Sequence, residues 1–149
     1  MRVLLTGAQG QLGQALIASA PQGVELIATA RAELDLADPG ACRQAVAQHR
    51  PDWVLNAGAY TAVDRAETDQ GLAMAVNAGA PAAFAEALAR CGGRLLQVST
   101  DFVFDGDRSS PYPPEHATRP LGIYGASKAA GEAAALALDG ARVLRTSWV

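Results

Sequence analysis

Residues 2–13 read RVLLTGAQGQLG, and this segment gives the clearest indication of the fold. The apolar run 2–6 has the composition of a buried parallel strand. Gly7, Gly10 and Gly13 follow it as G-x-x-G-x-x-G, and the next residues, QALIASA, favour a helix. Glycine is needed where the chain turns tightly and where the backbone approaches a pyrophosphate, which the free N–H groups of the helix then face. The stretch therefore predicts a dinucleotide-binding loop.

The rest of the chain continues this alternation of strand and helix. Further strands are predicted at 24–30, 52–58, 94–100 and 141–149. Helices are predicted at 14–20, at 39–49 with Asp38 as the N-cap, at 68–91 with a break near Gly79–Pro81, and at 123–138. A loop rich in Pro, Gly, Ser and Asp occupies about 105–122. The order predicts an α/β fold, a Rossmann-type doubly wound parallel sheet with helices on both faces.

Length and charge limit the function classes. The chain has 149 residues, which suits one domain, and a net charge of −3 with no basic patch, so nucleic acid is an unexpected partner. Its apolar runs are short beside the ~20 residues of a membrane helix, and the start lacks the pattern of a secretory leader. We predict a cytoplasmic protein that binds neither membrane nor nucleic acid.

The cysteines and histidines carry no metal-binding or catalytic spacing. Cys42 and Cys91 are far apart, and we interpret both as reduced, structural residues. His49, near a helix end, and His116, in the proline-rich loop, are interpreted as surface residues.

The residues after the second strand bear on the choice of dinucleotide. An acidic residue there would bind the ribose 2′-hydroxyl of NAD, but positions 28–31 hold none, and Arg31 stands there instead. An arginine can pair with a 2′-phosphate, so we predict NADPH, with NADH still possible. Asp35 and Leu36 would suit the adenine edge.

Tyr124 and Lys128 lie four residues apart at the start of a predicted helix, on one face. The chain has twelve Lys and Arg residues, and Lys128 is the single lysine. A nearby ammonium favours the phenolate and lowers the pKa of a tyrosine. A compact ammonium can also bond ribose hydroxyls, a role in which a wide planar guanidinium does not easily replace it. The pair predicts a proton-transferring tyrosine supported by a lysine.

Hydroxyl side chains end the strand at 94–100. A hydroxyl at the carboxyl end of a parallel strand points into the crevice where ligands bind. Thr100 could orient a reacting carbonyl oxygen towards Tyr124, and Ser99 is the alternative candidate.

Several longer motifs extend this interpretation. The G-x-x-G-x-x-G spacing is that of the extended short-chain dehydrogenase/reductase superfamily. The stretches LLTGAQGQLG, ELDLAD, RPDWVLNAGAYTAVDRAE, VSTDFVFDG, PLGIYGASKAAGE and RTSWV together resemble the dTDP-4-dehydrorhamnose reductase family. NAGAYTAVDRAE and STDFVFDG are the most specific, because the glycine loop and Tyr-x-x-x-Lys are shared across the superfamily.

The resemblance implies a reaction and a role for each matching residue. Hydride would pass from NADPH or NADH to C4 of dTDP-4-dehydro-L-rhamnose, in the last step of dTDP-L-rhamnose synthesis. Thr100, Tyr124 and Lys128 would be catalytic, with Tyr124 the general acid at the sugar O4. The implied cofactor contacts are Gly10, Gln11 and Leu12 at the pyrophosphate, Asp35 and Leu36 at the adenine, and Gly58, Ala59, Tyr60, Tyr124 and Lys128 along the rest of the dinucleotide. Thr100 and Asp101 would contact the dTDP-sugar.

The sequence departs from the family pattern in two ways. Gln14 and Ala15 stand where some members carry a glutamate that binds magnesium at a dimer interface, so we predict no metal site, although a homodimer is possible. The family's C-terminal half, which forms the nucleotide-sugar pocket, has no counterpart in residues 1–149, so we expect these residues to be the NAD(P)-binding domain alone.

Two alternatives stay open. Another extended-superfamily enzyme, a nucleotide-sugar epimerase or dehydratase, would share the glycine loop and the Tyr/Lys pair. The regulatory subunit of methionine adenosyltransferase also resembles this family, and it acts as a binding partner.

Overall fold

Residues 1–147 are described by the computed structural model, and they contain one all-parallel sheet. The strands are β1 (Arg2–Thr6), β2 (Glu25–Thr29), β3 (Trp53–Asn56), β4 (Arg94–Thr100) and β5 (Arg142–Thr146). Their order in the sheet is β2-β1-β3-β4-β5. Each strand falls within a predicted segment. The last of those predictions ran to 149, and Trp148 and Val149 lie outside the described residues.

The helices follow the predicted alternation, with local differences. They are α1 (Gln11–Ala18), α2 (Pro39–His49), α3 (Val63–Ala66), α4 (Gln70–Met74), α5 (Ala80–Cys91) and α6 (Ile123–Leu136). The Asp38 carboxylate caps α2 as predicted, accepting hydrogen bonds from the N–H groups of Gly40 and Ala41 at 2.7 and 3.1 Å. The short α3 was not predicted.

The predicted break near Gly79–Pro81 does not occur. A π-helical turn, Ala75–Gly79, joins α4 to α5 without interruption. Pro81 is the second residue of α5, directly after the π-helical turn, so its missing N–H falls where the hydrogen-bond pattern of the helix changes. By length and composition the run Gln70–Cys91 could cross a membrane, but half of its apolar window is buried inside this fold, as in the core helix of a soluble protein.

Both faces of the sheet carry helices. On one face α2, α5 and α6 pack side by side. The core there is formed by Leu4, Val54, Phe84, Leu88 and Leu95. The chain leaves β1 towards one edge of the sheet and later connections run towards the other, so right-handed crossovers put α1 on the opposite face. The Rossmann-type, doubly wound prediction is confirmed.

The reversal of direction positions the candidate site. β1 connects outwards to β2, whereas β3 connects in the other direction to β4, so the chain diverges between β1 and β3. Ligands of open α/β sheets bind in the crevice that such a divergence leaves at the carboxyl ends of the strands. The predicted glycine loop follows β1 at that point.

Candidate active site

Two glycines of the loop, Gly7 and Gly13, have no room for a side chain. Gly7 has a φ of +70°, and a Cβ there would lie 2.7 Å from the Cα of Gly58. A Cβ on Gly13, inside the first turn of α1, would lie 2.1 Å from the carbonyl oxygen of Gly7. The Gly10 N–H donates to that same carbonyl at 2.9 Å. This close turn at a helix N-terminus fits the pyrophosphate of a dinucleotide.

A buried line of polar side chains supports the loop from below. The Thr6 hydroxyl donates to Asn56 Oδ1 at 2.6 Å, and Asn56 Nδ2 donates to Gln97 Oε1 at 2.7 Å. The Gly58 N–H donates to the Thr6 hydroxyl at 3.1 Å. The network therefore ties the loop after β3 to β1 and β4. In the sequence, this network is marked only by a polar residue in the second half of each of three largely apolar strands.

One cavity of about 860 Å³ runs along the strand ends. It brings together every residue predicted for the site. These residues are Gly7, Gly10, Gln11, Leu12, Gly13, Arg31, Asp35, Leu36, Gly58, Ala59, Tyr60, Thr100, Asp101, Tyr124 and Lys128. Their shared cavity is a geometric result, and the role of each residue stays a prediction.

The end of β2 leaves an arginine facing the cavity. Arg31 is exposed and lines its wall. The nearby Glu33 carboxylate accepts a hydrogen bond from the Ala30 N–H at 2.5 Å, so it turns back onto the backbone. Asp35 accepts from the N–H two residues further on, at 2.9 Å. An exposed cation therefore lines the cavity just after β2, as the predicted binding of a 2′-phosphate by Arg31 requires.

Lys128 is almost fully buried, at 4% exposure, on α6. Its Nζ donates to the Val98 carbonyl oxygen of β4 at 2.8 Å. Burial lowers the pKa of Lys128 to about 8, and the Glu132 carboxylate, one helical turn away, acts in the opposite direction. A buried ammonium with donors to spare at the floor of the cavity can bond ribose hydroxyls.

The pKa of Tyr124 does not follow the prediction that Lys128 lowers it. Burial raises the pKa of Tyr124, the Thr100 hydroxyl lowers it, and the Asp101 carboxylate raises it. The ammonium of Lys128 is directed at Val98 instead. Tyr124 is therefore protonated at neutral pH and able to donate a proton.

Thr100 fits the role of the orienting hydroxyl better than Ser99 does. Thr100 Oγ1 donates to Asp101 Oδ1 at 3.0 Å and accepts from the Phe102 N–H at 3.2 Å, and it is close enough to Tyr124 to shift its pKa. The Ser99 hydroxyl is buried and, within residues 1–147, lacks a hydrogen-bond partner.

Asn77, which no sequence pattern singled out, links α6 to the loop after β3. Asn77 lies on the π-helical turn, and its side-chain amide accepts from the Tyr60 N–H at 2.9 Å and donates to the Tyr60 carbonyl at 3.0 Å. The same amide donates to Ser127 Oγ at 3.0 Å, and Ser127 Oγ donates to the Tyr124 carbonyl at 2.7 Å. Nothing local in the sequence pairs these residues.

A second cavity, of about 570 Å³, opens beside Tyr124 on the far side from the glycine loop. Phe102, Phe104 and Tyr112 supply its aromatic wall, and Glu67 supplies a carboxylate. Glu67 Oε1 also accepts a hydrogen bond from the N–H of Ile123 at 2.8 Å, at the start of α6. A substrate group placed here would lie next to the phenol of Tyr124.

The remaining candidate residues look structural. Burial raises the pKa of the Cys42 thiol to about 12, which leaves it unreactive. His116 is half-buried against Tyr112, with ring centroids 5.1 Å apart, and His49 is also half-buried, so neither is the fully exposed residue expected. Gln14 Nε2 donates to the Gln9 carbonyl at 2.9 Å. No group of three or more His, Cys, Asp or Glu in the described part of the chain could hold a metal ion.

Comparison with known proteins places the chain in a family. The model of the RmlD substrate binding domain matches residues 1–149. The chain belongs to this RmlD family. A dTDP-4-dehydrorhamnose reductase from Streptomyces griseus is 45% identical over 151 residues, covering 99% of this chain and 50% of that relative. The resemblance seen in the motifs is thereby confirmed.

Two further relatives of this RmlD chain bear on cofactor and substrate. A probable dTDP-4,6-dihydroxy-2-methyloxan-3-one 4-ketoreductase from Streptomyces antibioticus is 47% identical, covering 100% of this chain and 52% of that relative. The dTDP-4-dehydrorhamnose reductase of Bacillus anthracis, solved in complex with NADP, superposes with a TM-score of 0.94 at 37% identity, over 99% of this chain and 53% of that one. The chain spans about half the length of the curated relatives it matches.

Proposed function

We propose that this chain forms the cofactor and catalytic side of an NADPH-dependent ketoreductase that reduces the C4 keto group of dTDP-4-dehydro-L-rhamnose. The observation that carries the proposal is the meeting of Thr100, Tyr124 and Lys128 at one end of a cavity whose other walls are the glycine loop and Arg31. The names of its relatives, two reductases and a 4-ketoreductase, and the NADP bound in one of them support it.

The chemistry divides simply between cofactor and protein. Bound NADPH supplies a hydride to C4 of the keto sugar. Tyr124 supplies a proton to O4, so that the ketone becomes an alcohol, and the raised pKa of Tyr124 keeps that proton in place until it is needed. The Thr100 hydroxyl directs the carbonyl oxygen towards Tyr124, and Lys128 holds the nicotinamide ribose.

We assign residues 1–149 to the NAD(P)-binding domain. Binding of the dTDP moiety is assigned to the C-terminal half that the resemblance implies. The reductases it resembles make a soluble nucleotide sugar, which supports a cytoplasmic location. A homodimer, and the lack of nucleic acid or membrane partners, stay predictions.

Replacement of Arg31 by Ala should remove the preference for NADPH. Loss of a charge-assisted bond to the 2′-phosphate should weaken NADPH binding by about tenfold to a hundredfold. NADH lacks this phosphate, so its affinity serves as the control and should change less than about twofold. Calorimetric titration measures both, and an equal loss for the two dinucleotides would contradict the role given to Arg31.

Activity should fall as the pH rises through about 8. The pKa of Lys128 is lowered to about 8, so the ammonium is present below that pH and is lost above it. A pH profile of kcat/KM measures this limb. Lys128→Arg, which stays charged throughout, is the matched variant and should lack the limb, whatever its residual rate. A native profile that stays flat to pH 10 would show that the lysine charge is not required.

A spectrophotometric assay of NADPH oxidation tests the proposal against its alternatives. The complete protein carrying this sequence, mixed with a 4-keto dTDP-sugar, should consume one NADPH per sugar reduced. An epimerase would turn over the sugar without net consumption of NADPH, and a regulatory subunit would do neither. Other dTDP-4-keto sugars should be included as competing substrates, because the Streptomyces antibioticus relative is named as a reductase of a different one.

A further inference from the structure

The helix that carries Tyr124 has no local side-chain cap at its N-terminus. Gly122 occupies the N-cap position of α6, and the first turn contains no acidic residue. The first N–H groups of a helix lack acceptors within the helix, and Ser, Thr, Asp or Asn at the N-cap normally supplies one. Asp38 does so for α2. The segment around Gly122 offers α6 no such acceptor.

Glu67 supplies an acceptor from another part of the chain. It directly follows α3, and its Oε1 accepts a hydrogen bond at 2.8 Å from the N–H of Ile123, the first residue of α6, 56 positions away. The carboxylate also places a negative charge at the positive end of the helix dipole. This remote cap is therefore attached one residue before Tyr124.

Gly122 leaves room for the Glu67 carboxylate. Its φ of −134° is open to any residue, so the backbone conformation does not explain the glycine. A Cβ there would lie 2.8 Å from Glu67 Oε1, so a side chain at this position would push the carboxylate away. A second close approach occurs at Gly125, where a Cβ would overlap the Phe102 carbonyl oxygen. The first turn of α6 thus contacts both Glu67 and the backbone after β4.

The cap acts on Tyr124 more directly than on Lys128. Tyr124 follows the capped N–H in the first turn of α6. Lys128 lies more than a turn further along, is 4% exposed and donates to the Val98 carbonyl. Glu67 lines the second cavity, whereas other residues line the cofactor cavity. Loss of the cap should therefore displace the phenol and leave the cofactor contacts in place.

We propose that Glu67 is a positioning residue for Tyr124, whose carboxylate caps α6 and thereby fixes the phenol beside the Thr100 hydroxyl. The inference rests on the proposed function, because the position of Tyr124 affects the rate only if this residue donates the proton. The hydrogen bond between Glu67 and Ile123 can be measured without substrate.

Glu67→Ala should lower kcat by about tenfold to a hundredfold, because small displacements of a catalytic group have costs of this order. The KM for the dTDP-sugar and the Kd for NADPH should each stay within about threefold of the native values. Glu67→Gln keeps an oxygen that can accept the Ile123 N–H, so it should recover most of the rate. Asp64→Ala, which removes an exposed carboxylate from α3, is the matched control and should keep the native rate.

Amide hydrogen exchange tests the cap directly. In the complete protein labelled with ¹⁵N-isoleucine, the Ile123 N–H should be protected from exchange. Glu67→Ala should accelerate this exchange by at least about tenfold, because the hydrogen bond is lost. Glu67→Gln and Asp64→Ala should keep the protection.

Three results would overturn the inference. They are unchanged exchange at Ile123 in Glu67→Ala, a kcat loss no larger than that of Asp64→Ala, and a loss confined to KM, which would make Glu67 a contact of the sugar. Accelerated exchange at Ile123, in a protein whose unsubstituted form reduces no 4-keto dTDP-sugar, would support the cap and count against the proposed function alone.

Discussion

Replacement of Tyr124 by Phe should lower kcat by about a thousandfold and leave NADPH affinity nearly unchanged. The phenol is the proton donor to O4, and general acids of this kind contribute about 10²–10⁴-fold to rate. The ring itself remains, so its edge contact with Phe102, at 5.6 Å between centroids, is kept. Steady-state rates and calorimetric titration with NADPH measure the two effects separately.

The split between the two measurements is the internal control for this variant. A loss of NADPH affinity as large as the loss of rate would mean that Tyr124 shapes the cavity rather than donating a proton. A rate within about tenfold of the native one would remove Tyr124 from the mechanism, since a general acid contributes more. Thermal unfolding should show the same midpoint for both proteins, within a few degrees.

Replacement of Gly13 by Ala should abolish measurable NADPH binding, with a loss of at least about a hundredfold. The new Cβ would lie 2.1 Å from the Gly7 carbonyl oxygen, and neither atom can rotate away, because the oxygen is backbone and a Cβ is fixed to its own Cα. Overpacking of this kind typically costs about 1–3 kcal/mol, and here it displaces the loop that faces the pyrophosphate. Calorimetric titration with NADPH measures the loss.

Gly71→Ala is the matched control for that variant. Gly71 lies on α4, and a Cβ there would meet nothing within 4 Å. Alanine is the better helix former, so this change should leave NADPH affinity unaltered and stability equal or slightly higher. Native-like NADPH binding by Gly13→Ala would show that the glycine loop does not contact the dinucleotide as proposed.

The sequence predicted the features that depend on neighbouring residues. The strand before Gly7, the glycine spacing and the Asp38 cap are local patterns, and each is found where it was expected. The candidate residues were also predictable, because residues at the carboxyl ends of parallel strands must meet along one edge of the sheet. Thr100 ends β4 and Tyr124 lies in the first turn of α6, the next helix after that strand, so both lie at this edge.

What could not be predicted depends on contacts between distant residues. Asn77 reaches Tyr60 and Ser127 across 17 and 50 positions. The position of the Asn77 side chain depends on a π-helical turn that no sequence pattern predicted. The sequence also could not show that burial is the main influence on the pKa of Tyr124, or that the Lys128 ammonium bonds Val98 on a separate strand.

The proposed hydride transfer from NADPH to C4 of the sugar is tested most directly by following an isotope from cofactor to sugar. NADPH carrying deuterium at C4 of the nicotinamide, prepared separately in each of its two configurations, is mixed with the complete protein and dTDP-4-dehydro-L-rhamnose. One of the two labelled cofactors should deliver deuterium to C4 of the sugar, with one NADPH oxidised per product. Product or unchanged sugar without deuterium at C4, from both labelled cofactors, would contradict it.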